Sequence, residues 1–261
     1  MQVARAIMTP VHLWWYTLIA LGFLNITVWF RQRSRHASRW PLMVTLSGLY
    51  VFGCAIRGFL PKADVERFAL FDTWFSSVFF GRSVATVAEL AFVAQWSLVL
   101  GTLGFRRLGW MILGFITVAE CFSWYAVIST HFLGNVVEES LWAISFSVVT
   151  AALYHRRHRL MALSCSAYVA FMVFVDVPMY LGRLRVQSAD GFRPQGLWEG
   201  VLDLNTRRQV TWAFEAWRPE MPWMTLYFSF AVWMSLWLCG WTGTCRHRGL
   251  PLRLRRCSPQ N

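Results

Sequence analysis

Four acidic residues, Glu89, Glu120, Glu139 and Asp176, fall within long apolar stretches of the chain. An ionisable side chain is expensive to keep in such surroundings, so by default it marks a functional interior. Carboxylates there can ligate a hard or intermediate divalent ion such as magnesium, manganese or iron, carry protons as general acids or bases, or pair with arginines. Glu89, Glu120, Glu139, Asp176 and the nearby His131 are the candidate metal ligands. Glu89, Glu120, Asp176 and His131 are also the candidate catalytic groups, acting as proton carriers. Arg57 and Arg82 lie at similar depth and are candidate anchors for an anionic group, because guanidinium grips phosphate or carboxylate with two parallel hydrogen bonds. Glu139, Tyr180 and Trp124 complete the candidate substrate contacts.

Helical spacing puts Arg82, Thr86 and Glu89 on one face, Thr117, Glu120 and Trp124 on another, and Asp176, Tyr180 and Arg183 on a third. Spacing within one helix does not say whether these faces meet. Glu138 and Glu139 are consecutive and project about 100° apart. Glu139 is expected to face inward, where Trp142, Ala143 and Phe146 continue its face, while Glu138 caps the helix start. Pro178 removes the amide that would bond the Phe174 carbonyl, which either kinks the helix for packing or frees that carbonyl beside Asp176.

Several chemistries lack support. The Glu-x-x-His spacing of carboxylate-bridged metal bundles does not occur, and only His12 and His131 share the side of the acidic residues, too few for a three-histidine zinc site. The one lysine, Lys62, lies outside every apolar run, which excludes a retinal Schiff base in the last helix. No Ser-x-x-Lys, Gly-x-Ser-x-Gly, His-Glu-x-x-His or Walker loop is present. The six cysteines form no CxxC pair and read as small buried hydrophobes.

The elements that must carry these residues are long apolar helices. Of the 261 residues, 56% are hydrophobic and only 15% charged, against about 25% charged in soluble domains. A helix needs about 20 residues to cross a hydrocarbon core about 30 Å thick. Seven runs qualify, at about 11–30, 40–58, 83–104, 108–128, 137–155, 160–182 and 222–242. The expected fold is an all-α integral membrane protein, a seven-transmembrane-helix bundle forming one domain over 1–245, with a basic cytoplasmic tail over 246–261. No soluble stretch is large enough to turn the net charge of +12 into a nucleic-acid groove.

That charge instead reports orientation. The first, third and fifth connections carry Arg31, Arg33, Arg35, Arg39, Arg106, Arg107, Arg156, Arg157 and Arg159 without an acidic residue, as does the tail. Short basic connections stay in the cytoplasm, which puts the N-terminus outside, the C-terminus inside, and all four intramembrane carboxylates in the outer half of a plasma (inner) membrane. Two outer connections exceed a simple loop. Residues 61–81 place Val65, Phe68, Phe75 and Val78 on one side and predict a short interfacial amphipathic helix. Residues 183–220 repeat Val210, Phe214 and Trp217 at helical spacing and suit a second interfacial helix or a lid.

Three readings of the acidic cluster remain open: ion pairs that hold the bundle together; a membrane-embedded enzyme with an outward-facing carboxylate and arginine pocket and a divalent metal ion, acting on a lipid-like or amphipathic substrate; and a proton-linked transporter or seven-helix sensor using the same pocket. Against transport, the inner halves offer only weak polar groups such as Asn25, Gln95, Ser145 and Ser147. The bilayer is the one certain partner of such a chain. The orientation predicts that green fluorescent protein fused to the C-terminus of the full chain fluoresces, as it does only when left in the cytoplasm; a dark, well-expressed fusion would reverse it.

Overall fold

The computed structural model describes residues 8–241. The basic tail expected over 246–261 lies outside the described residues.

Seven helices are long and apolar enough to cross a membrane: α1 (Pro10–His36), α2 (Pro41–Phe59), α3 (Val78–Thr102), α4 (Arg106–Ser129), α5 (Leu133–His155), α6 (Arg159–Ala189) and a last helix over Met221–Gly240. They match the seven apolar runs, with ends displaced by a few residues. α6 extends furthest beyond its run, because Arg183 and Gln187 find partners there. Between α6 and the last span lie two shorter helices, α7 (Leu197–Thr206) and the single turn α8 (Phe214–Trp217), so the last span is α9. Helices α1 to α6 pack in sequence order, each against the next, and α9 closes the bundle against α1, α2 and α3.

Side chains set these contacts at close quarters. A Cβ on Gly134 would run into the Phe122 carbonyl and lie 2.7 Å from the Ala126 Cβ, so α4 and α5 approach backbone to backbone. Trp15 and Trp29 donate their indole N–H groups to the Phe59 and Val44 carbonyls and tie α1 to α2.

All three arginine-rich connections fall at one end of the bundle. The other end carries a small sheet in the order β1 (Lys62–Ala63), β2 (Phe68–Ala69), β3 (Gln209–Val210), with β1 and β2 antiparallel and β2 and β3 parallel. This corrects the helix expected over 61–81, which is a hairpin followed by one 3-10 turn at Trp74–Ser76. Tertiary bonds outweigh the apolar periodicity here. Arg67 adopts a left-handed backbone with φ of 62° and spends its guanidinium on Asp203 Oδ2 at 2.8 Å and on the Asp64 and Val127 carbonyls. Lys62 is buried and donates to the Phe75 and Ser77 carbonyls at 3.1 and 2.8 Å, pinning the hairpin to the start of α3. Burial pushes its ammonium down to about 8.

The second expectation also changes form. Val210 lies in β3 and only Phe214–Trp217 is helical, with Trp217 fully buried and donating to the Thr211 carbonyl. The longer helix of this region, α7, is docked on α4 where Gly200 meets the Ile128 carbonyl.

Two spans contain a π-helical segment, Met172–Asp176 in α6 and Tyr227–Ala231 in α9. In α6 the wider turn absorbs Pro178, and the Val177 amide reaches back five residues to the Met172 carbonyl. Such segments are rare and recur at functional sites.

Candidate functional site

Arg82, near the sheet end of α3, is the centre of the polar interior. One guanidinium nitrogen donates to Glu89 at 2.6 Å and to Glu120 at 2.9 Å, and the other stands 3.5 Å from Glu138. Glu120 also accepts from Thr86 at 2.7 Å, and the Thr86 hydroxyl accepts from the Trp124 indole at 3.1 Å. The shared face of Arg82, Thr86 and Glu89 thus meets the face of Glu120 and Trp124. One cation compensates three buried carboxylates from three helices.

A small, largely enclosed cavity lies beside this cluster. Among the described residues, six carboxylates line it, Asp64, Glu66, Glu89, Glu138, Glu139 and Glu220, with three guanidiniums, Arg57, Arg82 and Arg183. Glu120 and Asp176 stand directly behind, bonded to Arg82 and Tyr227. Acid therefore exceeds base in a largely enclosed space, where unpaired charge is costly.

The three arginines are used unequally. Arg82 pairs with all three carboxylates of the triad, while its Nε–H has no hydrogen-bond partner among the described residues. Arg183 joins Glu66 at 2.6 Å to Glu220, which also accepts from the Trp223 indole at 2.7 Å, and so ties the hairpin to α6 and α9. Arg57 stands 3.5 Å from Asp64 and 3.6 Å from Glu89 and makes no hydrogen bond among the described residues. Glu139 and Asp176 have no cation within ion-pair distance among the described residues. Both face the Tyr227 hydroxyl, at 3.3 and 3.2 Å.

The structure thus brings Glu89, Arg57, Arg82, Glu139 and Tyr180 to the cavity wall and Glu120, Asp176 and Trp124 to the layer behind it. His131 is elsewhere: it stacks on Phe192 and lies 3.4 Å from the Tyr125 hydroxyl. Glu138 does not cap its helix, which begins at Leu133; it lies a turn further in, bonded by Asn135 at 3.3 Å and paired with Arg82. Both members of the Glu138, Glu139 pair therefore reach the cavity. Sequence reasoning missed Asp64, Glu66, Glu220 and Tyr227. The first three sit in connections, and the one signal for them was that every acidic residue falls on the same side of the apolar runs.

Beneath the cavity the rings of Tyr50, Phe92, Trp142, Phe146 and Tyr168 form a floor, with centroid separations such as 4.4 Å for Tyr50 and Phe92 and 4.7 Å for Phe146 and Tyr168. One turn deeper, Gln95, Ser47 and Ser235 bond to one another and to the Met43 carbonyl. Below them Val99, Leu100, Leu153 and Leu238 are fully buried.

The metal expectation meets a specific obstacle. Glu89, Glu120 and Glu138 can offer three oxygens within 4.8 Å of one another, a spacing a divalent ion could use. The Arg82 guanidinium already lies among them, while Glu139, Asp176 and His131 are not part of that group. Elemental mass spectrometry of the purified protein should therefore find no stoichiometric divalent metal. A near-stoichiometric ion lost in a Glu89→Gln, Glu120→Gln double variant would overturn the assignment of Arg82 as the resident cation.

At the mouth, where the Glu66 side chain keeps 31% of its surface exposed, partial desolvation and the neighbouring Glu220 carboxylate raise its carboxyl to about 7, against the opposing pull of Arg183. A carboxyl raised on folding stabilises the fold in its protonated form, so this contribution is complete below about 4.5 and is lost as pH rises to about 7. The melting temperature of a Glu66→Gln variant relative to the parent should accordingly increase across that window. A constant offset would show that Glu66 titrates normally.

No protein-family model matches the chain, and no curated protein or solved structure matches it either, so the reading of this site rests on its geometry.

Proposed function

We propose that the protein is a membrane-embedded enzyme that takes an amphipathic substrate into the acid-rich cavity and acts on it with the Glu139, Tyr227 and Asp176 group as proton donor and acceptor. The orientation set by the basic connections makes the sheet end the outer face of a plasma (inner) membrane, with α7 lying near the interface. The observation that carries the reading is the closed aromatic floor beneath a polar cavity. A transport path would need polar groups from the cavity to the arginine-rich end, and the Gln95 network is walled off on both sides. A closed floor suits a site that binds, reacts and releases on one side.

Two features support an amphipathic substrate. A depression lined by Arg193 and Arg207 adjoins the cavity across Val65 and Glu66, giving a polar approach from the sheet end. On the flank, an apolar groove between α1, α2 and α3 shares Gly53 with the cavity, so a wall of small residues separates the polar site from the lipid-facing surface. A head group in the cavity and a chain along that groove would lie on opposite sides of the wall at Gly53, so an amphipathic substrate requires that wall to part.

One hydroxyl hydrogen serves two carboxylates at Tyr227, so a further proton or a cation must accompany them. That is the arrangement a general acid and base pair needs. No step is routed through a metal, because Arg82 supplies the cation at the triad. In nanodiscs made from a total lipid extract, the purified protein should deplete a lipid species followed by mass spectrometry, and Glu139→Gln should slow the loss by about 10²-fold or more with little change in melting temperature. Undiminished conversion would remove these carboxylates from the chemistry. No conversion of any species, with the parent folded, would favour a sensor.

A further inference from the structure

We infer that the cavity recognises a zwitterion carrying a primary ammonium and an anionic phosphate or carboxylate, the ammonium held between Glu139 and Asp176 and the anion on Arg57. This deepens the proposed function and rests on its assignment of the cavity as the substrate site.

The protein holds one cation loosely and leaves two carboxylates without a cation among the described residues. Arg82 and Arg183 are committed to carboxylates at hydrogen-bond distance. Arg57 is not. Its side chain is only 10% exposed, its nearest acidic oxygens are 3.5 and 3.6 Å away, and its guanidinium lies over the rings of Trp223 and Phe228 at 5.7 and 5.9 Å. The rings occupy its flat face, and its two terminal nitrogens face Asp64 and Glu89 without reaching hydrogen-bond distance, so a phosphate or carboxylate matching its planar fork would compete for it.

The negative pole is the mirror case. Asp176 is 1% exposed, Glu139 lines the cavity, and Tyr227 can give its single hydrogen to only one of them. Asn135 adds an independent sign: it lines the same cavity, is 7% exposed, and its Oδ1 has no hydrogen-bond partner. Glu139 and Asn135 on the cavity wall, with Asp176 directly behind, therefore ask for a donor-rich cation. A primary ammonium has three N–H groups and can bridge two carboxylates, whereas a quaternary ammonium has none.

The poles are close. Trp223, which carries Arg57, and Tyr227, which carries the two carboxylates, are one turn apart on α9 with rings 6.0 Å from each other. Poles carried by neighbouring turns of one helix suit a molecule that bears its ammonium and its anion on one short head group. Such a zwitterion can be a free solute or the head group of a lipid.

The test measures binding, so its outcome is separate from turnover. Thermal-shift titrations of the purified full chain in detergent would use O-phosphoethanolamine, phosphocholine, glycerol 3-phosphate and ethanolamine. Nanodiscs of phosphatidylethanolamine against phosphatidylglycerol would supply the lipid-borne form. The expected result is that the primary-ammonium zwitterion binds about tenfold or more tightly than the other three solutes. Arg57→Lys and Glu139→Gln should each reduce that preference by about tenfold, with the unliganded melting temperature showing that both variants fold. Stabilisation confined to nanodiscs of phosphatidylethanolamine would identify the lipid as the source. Equal binding of glycerol 3-phosphate, equal binding of phosphocholine, or no response to any probe would overturn the inference; selective binding without conversion would retain it and sink only the enzyme reading.

Discussion

The arrangement of this bundle depends on one buried guanidinium. Arg82 is drawn between Glu89 of its own helix, Glu120 of α4 and Glu138 of α5, three carboxylates that could not share an apolar interior without a cation. Removing one partner of such a group is far more costly than never having built it, because the remaining charges stay buried and uncompensated. The same guanidinium lies among the three oxygens that a divalent ion would use, and it leaves Glu139 and Asp176 without a cation among the described residues.

Those carboxylates lie where two helices depart from regular geometry. The π segments of α6 and α9 end and begin on Asp176 and Tyr227, the two residues that bond each other. Inserting one residue into a helical turn rotates the remainder of the helix, and it lets Tyr227 address Glu139 and Asp176 together while Trp223, one turn earlier, supports Arg57. Below, the five packed rings stop the polar interior from continuing through the bundle. The site is therefore both well defined and one-sided.

The sheet end is held by polar bonds as well as by the apolar packing of Phe68, Leu70 and Trp217. Arg67, Lys62 and Arg183 each tie the hairpin to a different part of the structure, and Arg183 does so through Glu66, whose ionisation changes near neutral pH. The wall nearest the mouth is thus the one most responsive to solution conditions.

The sequence alone determined the seven spans, because the length of an apolar run is a local property that the bilayer thickness selects directly. It also placed Glu89, Glu120 and Asp176 well inside their apolar runs, too deep to be solvated at an end, without saying whether their faces meet. Local periodicity failed where long-range bonds outweighed it: in residues 61–81, which Arg67 and Lys62 draw into a hairpin, and at Val210, which pairs with Ala69. Only the tertiary structure decided that Arg82 occupies the carboxylate triad, that Glu138 joins it, that His131 lies elsewhere, and that Tyr227 and Arg57 define the open poles of the cavity. Those are relations between helices far apart in the chain, and no spacing within one helix encodes the distance to another.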